Sequence, residues 1–253
     1  MRYISLGSGS RGNATLIEAG GTRVLLDCGF ALRELELRLS GLGLSAADLD
    51  AVLVTHEHSD HIRGVGALAR RYGLPVWLSP GTLRDQRFGR MPDTRIFRSN
   101  QAQFFIGGIK VVPYPVPHDA REPAQFIFES AHARLGVLTD VGVITPHIVD
   151  MLRCCSALVL ECNHDREMLR TGPYPLSLQR RVGGTLGHLS NCQAAGLLER
   201  VDRSNLKSLL IAHVSEQNNR PQLALERLLA VAPEMERRLA LTAQDSPSDW
   251  LEA

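Results

Sequence analysis

Thr55-His56-Glu57-His58-Ser59-Asp60-His61 puts three imidazoles and an aspartate within six residues, directly after the apolar run Ala51-Val52-Leu53-Val54. A short buried strand that opens into such a stretch reads as the edge of a metal site. Imidazole and carboxylate together suit divalent zinc, manganese or iron. A single ion would not use His56, His58, Asp60 and His61 together. The stretch therefore predicts two ions sharing one loop, with further ligands from distant segments. Three candidates close other apolar runs: His118 after Val111–Pro117, Asp140 after Leu135–Thr139, and His213 after Lys207–Ala212.

Another motif points elsewhere at first. Gly7, Gly9 and Gly12 spell G-x-G-x-x-G, and Asp27 follows Gly7 at twenty residues, as in a dinucleotide-binding turn. That turn needs a helix after the third glycine, to place a pyrophosphate on its N-terminus. Here residues 14–19 and 22–27 are two short β-type runs joined by Gly20-Gly21, a hairpin signal that leaves no room for the helix.

The 253 residues, 44% hydrophobic, suffice for one large domain, and we expect a single one over 1–253 with a polar tail that frays from about Ala243. Charge is balanced at 28 basic against 27 acidic residues, so any attraction for an anionic partner must be local. Five cysteines, odd in number and without a C-x-x-C pair, suggest a reducing, cytoplasmic setting. No signal peptide or membrane-spanning run is evident. Strands are predicted at 2–6, 51–54 and 76–78, through the β-rich middle from 95 to 139, and at 157–160 and 207–212. Helices are predicted at 32–42, 62–72, 146–153 and 191–201, with Ser190 capping the last of these, and from Pro221 onward. The class is α/β.

The pattern H-x-H-x-D-H followed by distant His, Asp and His resembles the metallo-β-lactamase superfamily over nearly the whole chain. The resemblance implies a four-layer αββα sandwich with two divalent ions (zinc or manganese, with iron also compatible) at one edge. It assigns His56, His58 and His118 to one ion, Asp60, His61 and His213 to the other, and Asp140 to both. It places Asp27 behind the metal loop, orienting a ligand histidine, and the Gly7–Gly12 turn at the rim of the site. A narrower resemblance, to bacterial YycJ/WalJ-type hydrolases, rests on Ser5–Ser10 with Gly12-Asn13, on Glu161-Cys162-Asn163-His164-Asp165, on Gly187-His188-Leu189-Ser190-Asn191 and on His213-Val214-Ser215. That group is similar to the tRNase Z and phosphonate-pathway phosphodiesterase branches and is associated with nuclease action on DNA. Asp140 and His213 are too close for an inserted β-CASP domain, and His58 stands where flavodiiron oxidoreductases carry Glu.

The resemblance implies a metal-dependent phosphodiesterase, a nuclease or exonuclease, with Asp60 as a ligand that also orients the attacking water. His188 matches the extra histidine that assists the leaving group. Ser8, Ser10, Asn13, Ser190 and Ser215 are candidate substrate contacts, and His164 is a candidate for contact with a ligand or the substrate. His132 and His147 read as surface residues. Arginine-rich stretches at 84–98 and 163–181 either track a phosphodiester backbone or form a solvated surface. The partner is then nucleic acid or another phosphodiester. The alternatives are a small-molecule hydrolase of the same fold, acting on a cyclic phosphodiester or thioester, and a non-catalytic metal-binding scaffold.

Overall fold

The computed structural model describes residues 1–253. Its strands are β1 (Arg2–Gly7), β2 (Ala14–Ala19), β3 (Thr22–Leu26), β4 (Ala51–Leu53), β5 (Pro75–Leu78), β6 (Asp93–Ile96), β7 (Phe104–Ile106), β8 (Ile109–Pro115), β9 (Ala124–Ser130), β10 (Ala133–Leu138), β11 (Ala157–Glu161), β12 (Ser208–Ala212), β13 (Leu239–Leu241) and β14 (Leu251–Glu252). They form two seven-stranded sheets, ordered β14-β1-β2-β3-β4-β5-β6 and β13-β12-β11-β10-β9-β8-β7. In the first, β3 to β6 run parallel. In the second, β10 to β13 run parallel.

Side-chain parity along the strands builds the layers. Ile17, Val24 and Leu53 face the second sheet and pack with Phe126, Leu135, Val159 and Leu210. Their neighbours Leu16, Leu25 and Val52 face the other way, against Leu35, Leu39 and Leu68 of α1 (Leu32–Ser40) and α3 (Val65–Tyr72). On the second sheet Ile127, Leu158 and Leu160 pack on Ile148 of α5 (Pro146–Leu152), Leu197 of α8 (Asn191–Leu198) and Leu228 of α9 (Pro221–Leu229). Strands buried on both faces read as unbroken apolar runs, which is why 51–54 and 157–160 were recognisable. The result is the expected αββα sandwich. No helix is long and apolar enough to cross a membrane.

Three departures bear on the site. The helix expected at 62–72 begins earlier and is broken: α2 (Ser59–Ile62) takes up the end of the histidine-rich stretch, and α3 follows Gly64. A Cβ on Gly64 would run into the Phe30 carbonyl, so the chain turns there. Residues 163–181 are largely helical, as α6 (Arg166–Thr171) and α7 (Leu176–Val182); a short α4 (Pro80–Leu83) also forms.

The tail does not fray. Ser8 N donates to the Ala243 carbonyl (3.0 Å) and Ser248 N to that of Ser5 (2.9 Å). Strand β14 then pairs with β1, and the Arg2 guanidinium lies 4.2 Å from the centre of the Trp250 ring. A polar composition hid this, because the tail docks mainly through hydrogen bonds to an otherwise open strand edge.

Candidate metal centre

One rim of the sandwich collects the C-terminal ends of β3, β4, β8, β10, β11 and β12, which are followed by Asp27, His56, His118, Asp140, the Glu161 terminus itself and His213. Parallel strands bring their carboxyl ends to the same side, where open α/β sheets bind ligands. Asp27, Asp140 and His213 leave their strands with left-handed φ of 61°, 53° and 55°. Non-glycine residues held there are strained, and the surrounding hydrogen bonds must maintain them.

His56, His58 and His118 each offer a donor atom within 4.8 Å of one another, and so do Asp60, His61 and His213. Asp140 meets the same limit with His56 of the first trio and His61 of the second. The six residues predicted from the histidine-rich stretch and the strand ends therefore gather as two adjacent groups, with Asp140 reaching both.

Each imidazole is fixed by one nitrogen and presents the other to the centre. His61 Nδ1 donates to Asp27 Oδ2 at 2.8 Å. His56 Nδ1 donates to Thr55 Oγ1 at 2.9 Å, and that hydroxyl donates to Asp27 at 2.8 Å. His58 Nε2 is 3.2 Å from the Asp119 carbonyl. His118 Nδ1 is 3.0 Å from that of Gly187. His213 Nδ1 lies 3.2 Å from Glu161 Oε1. Ligand histidines are held in this way, which sets the tautomer as well as the ring orientation.

The charge distribution makes the same demand. Asp27, Asp60, Asp140 and Glu161 are all close to the centre, and the only basic groups within 4 Å of their oxygens are imidazoles. Burial pushes the Asp27 carboxyl up. Burial also acts to raise Asp140, but His213 and His61 hold it well below the carboxylate range. Against the opposing effect of burial, Asp140, Asp60 and Glu161 raise His213 to about 10. Burial works to raise Glu161 as well, and His188 and His213 bring it down to about 2. His56 is driven well below its ordinary value by burial. Buried carboxylates without a lysine or arginine need positive charge from elsewhere. His56 Nε2, Asp140 Oδ2 and His213 Nε2 are buried and have no hydrogen-bond partner. These are donor atoms of the two groups, so the residues present fit divalent cations.

Other expected residues have different jobs. Ser8 Oγ accepts from His213 N (2.9 Å) and donates to Asn13 Oδ1 (2.9 Å). The Asn13 amide reaches Asp60 Oδ2 at 3.2 Å. Both are buried braces for the cluster rather than substrate contacts. Ser190 caps α8 and is buried. Ser10 and Ser215 do line the open cleft above the cluster, a cavity of about 370 Å³. His164 is buried, and its Nδ1 has no partner. It contacts the cluster less directly than its neighbour Asn163, whose amide nitrogen donates to the His213 carbonyl at 3.0 Å. Asn163, unlike His164, also lines the cleft. His188 sits at the cleft with Nδ1 donating to Glu161 Oε1 at 2.8 Å. Of the two arginine-rich stretches, Arg87 and Arg181 reach the cleft. They are steadied by Asp85 (2.8 Å) and Asp119 (2.6 Å).

The glycine motif is a turn between β1 and β2. Gly9 has φ +152°, and a Cβ there would sit 2.5 Å from Gln244 Oε1. The tail thus presses on the turn that seats His213. Thr55, Asp119 and Glu161 were not anticipated as working residues. Glu161 carried a signal: it ends a strand whose other residues are all apolar, and is itself fully buried.

Two donor groups joined by an aspartate, with every imidazole anchored from behind, agree with a match of residues 22–213 to the family model described as the β-lactamase superfamily domain. The chain belongs to this superfamily. It is 36% identical to the exodeoxyribonuclease YycJ of Bacillus anthracis over 88% of its length and 86% of that protein's. It is 33% identical to the exodeoxyribonuclease WalJ of Streptococcus pneumoniae, over 88% of this chain and 85% of the other. Among solved structures, the metallo-β-lactamase fold protein YhfI of Bacillus subtilis superposes with a TM-score of 0.76 over 99% of both chains, at 16% identity. That likeness shows the fold. As a member of the superfamily with this donor set, the chain is a metal-dependent hydrolase.

Proposed function

We propose that the chain is a dinuclear metal-dependent phosphodiesterase, a nuclease acting on DNA. The observation that carries the reading is the pair of donor trios linked by Asp140, three of whose buried atoms lack any partner. His56, His58 and His118 would hold one cation, Asp60, His61 and His213 the other, and Asp140 would serve both. Support for the substrate comes from the two exodeoxyribonucleases, which match most of the chain.

Zinc, manganese or iron bound there supplies Lewis acidity toward a phosphoryl group and makes hydroxide available near neutral pH. The protein's own groups do the rest. Asp27, Thr55, Glu161 and two backbone carbonyls keep five imidazoles in register, so the donors do not reorganise as charge develops. Asp60 orients the attacking water. His188 has Nδ1 tied to Glu161 and leaves Nε2 facing the cleft, where it hands a proton to the departing oxygen.

The test is to assay purified protein, with metal content measured by elemental analysis, on DNA, RNA, bis-(p-nitrophenyl) phosphate and a thioester. DNA and the model diester are expected to be hydrolysed, and Asp140→Ala to lose metal and activity together. Turnover of the thioester alone would replace the nuclease reading with small-molecule hydrolysis. Full hydrolysis by Asp140→Ala would show that the centre is wrongly assigned.

A further inference from the structure

The cleft has a second wall made from a segment the metal chemistry does not use. On α7, Leu178 and Val182 stand four residues apart and Arg181 three beyond Leu178, so the three share one stripe, and all line the cavity. Just before the helix, Tyr174 lines it too. Pro173 and Pro175 flank this tyrosine, fixing φ on either side of it in the bend that leads into the helix. Gln179 Nε2 holds its carbonyl at 2.9 Å. The ring is thus presented, half-buried, by a stiff piece of chain.

The chain has four tyrosines and two tryptophans, and the others are engaged. Tyr3 and Tyr114 are fully buried in the core, and Tyr72 donates to Glu36 at 2.6 Å. Trp77 stacks on Phe104, and Trp250 lies under Arg2. Imidazoles aside, Tyr174 is the one aromatic ring in the cleft lining. Arg87, from the short segment after α4, lines the same cavity. An aromatic side chain, two aliphatic ones and two guanidinium groups lining one cavity with the donor cluster match one nucleotide: a flat base, then phosphates.

Resting on the nuclease reading, we propose that Tyr174 is a stacking subsite for the base of the nucleotide next to the scissile phosphate, and that the substrate is therefore a single-stranded or frayed DNA end. A base offers its face to a side chain only when it is unpaired and unstacked. With a single aromatic in the cleft, the subsite holds one base rather than a run, and it reads the flatness of the base rather than its identity.

The experiment measures KM and kcat on single-stranded oligonucleotides with an intact or an abasic nucleotide at each of the first three positions from either end. It uses metal-loaded wild type, Tyr174→Ala and Tyr174→Phe. On intact ends Tyr174→Ala is expected to raise KM about tenfold, in line with the usual worth of one base–aromatic stack, and Tyr174→Phe to restore it. One abasic position should cost the wild type the same factor and Tyr174→Ala nothing further. If Tyr174→Ala loses equally on intact and abasic ends, or Tyr174→Phe loses as much as Tyr174→Ala, the subsite is wrong. Wild type that hydrolyses bis-(p-nitrophenyl) phosphate but no oligonucleotide removes the nuclease reading and the subsite together.

Discussion

The two sheets furnish the centre in opposite ways. The first delivers His56, His58, Asp60 and His61 from one continuous stretch after β4, braced by a single carboxylate, Asp27, through His61 and Thr55. The second delivers His118, Asp140 and His213 one at a time from three strand ends, and ties two of them with Glu161. That carboxylate accepts from His188 and His213, and also from the backbone N–H of Asp140 (3.2 Å) and Leu189 (2.8 Å). A contiguous loop inherits its geometry from local backbone. A set scattered over three strands needs a common buried tie, and losing that tie should disturb several groups at once.

The largest test of this contrast is Glu161→Ala. It frees the His188 and His213 rings and strands three backbone donors, those of Asp140, Val141 and Leu189, so turnover of bis-(p-nitrophenyl) phosphate should fall by about a thousandfold, beyond the usual cost of losing one outer partner of a metal ligand. A loss no greater than that of Asp27→Asn would erase the distinction between the sheets.

Acid should also act through the scattered half. His164, behind β11, is pushed down by burial to about 4. The unfolded chain binds that proton near pH 6.5 and the folded one only near 4, so acid favours unfolding. The penalty is absent above pH 6.5, grows as pH falls through the window, and levels off below about 4 at about 3 kcal/mol. Urea midpoints at pH 7 and 4.5 should separate for wild type and draw together for His164→Gln; an unchanged separation would remove His164 as the source.

Asp27→Asn is expected to weaken metal binding by about 10- to 100-fold, read by titrating metal into the chelator-treated protein, while the fold persists. Smaller still is Gln244→Ala. Its side chain accepts from Arg11 N (2.8 Å) and donates to the Gly12 carbonyl (2.9 Å), so its loss slackens the turn under His213 without touching a donor atom. About a tenfold loss of metal affinity is expected, with a melting temperature close to wild type in the metal-free protein. A drop in melting temperature with unaltered affinity would make Gln244 a matter of stability alone.

The same contrast explains what the sequence disclosed. Residues 55–61 announce themselves because their chemistry is local, and the apolar runs 51–54 and 157–160 because burial on both faces leaves no polar positions. His118, Asp140 and His213 were legible only as polar residues closing strands. Thr55 and Asp119 were not, since a threonine or aspartate beside a histidine has many ordinary uses and its partner is set by tertiary contacts. Ser8 and Asn13, far from His213 in the chain but next to it in space, turned inward because the glycine turn folds back beneath His213. Helices α6 and α7 were missed behind their arginines; their packing gives Leu178 and Val182 to the cleft, whereas their composition suggested only a charged surface.

The docking of Ala243 and Gln244 on the first turn has a temporal consequence. During translation the histidine-rich loop emerges early and His213 much later, but the hydroxyl that seats His213 is itself secured by residues synthesised after both. A truncated or half-made polypeptide can hold most of the donors and still lack the last one in place. The complete donor set waits until residues 243 and 244 have been made.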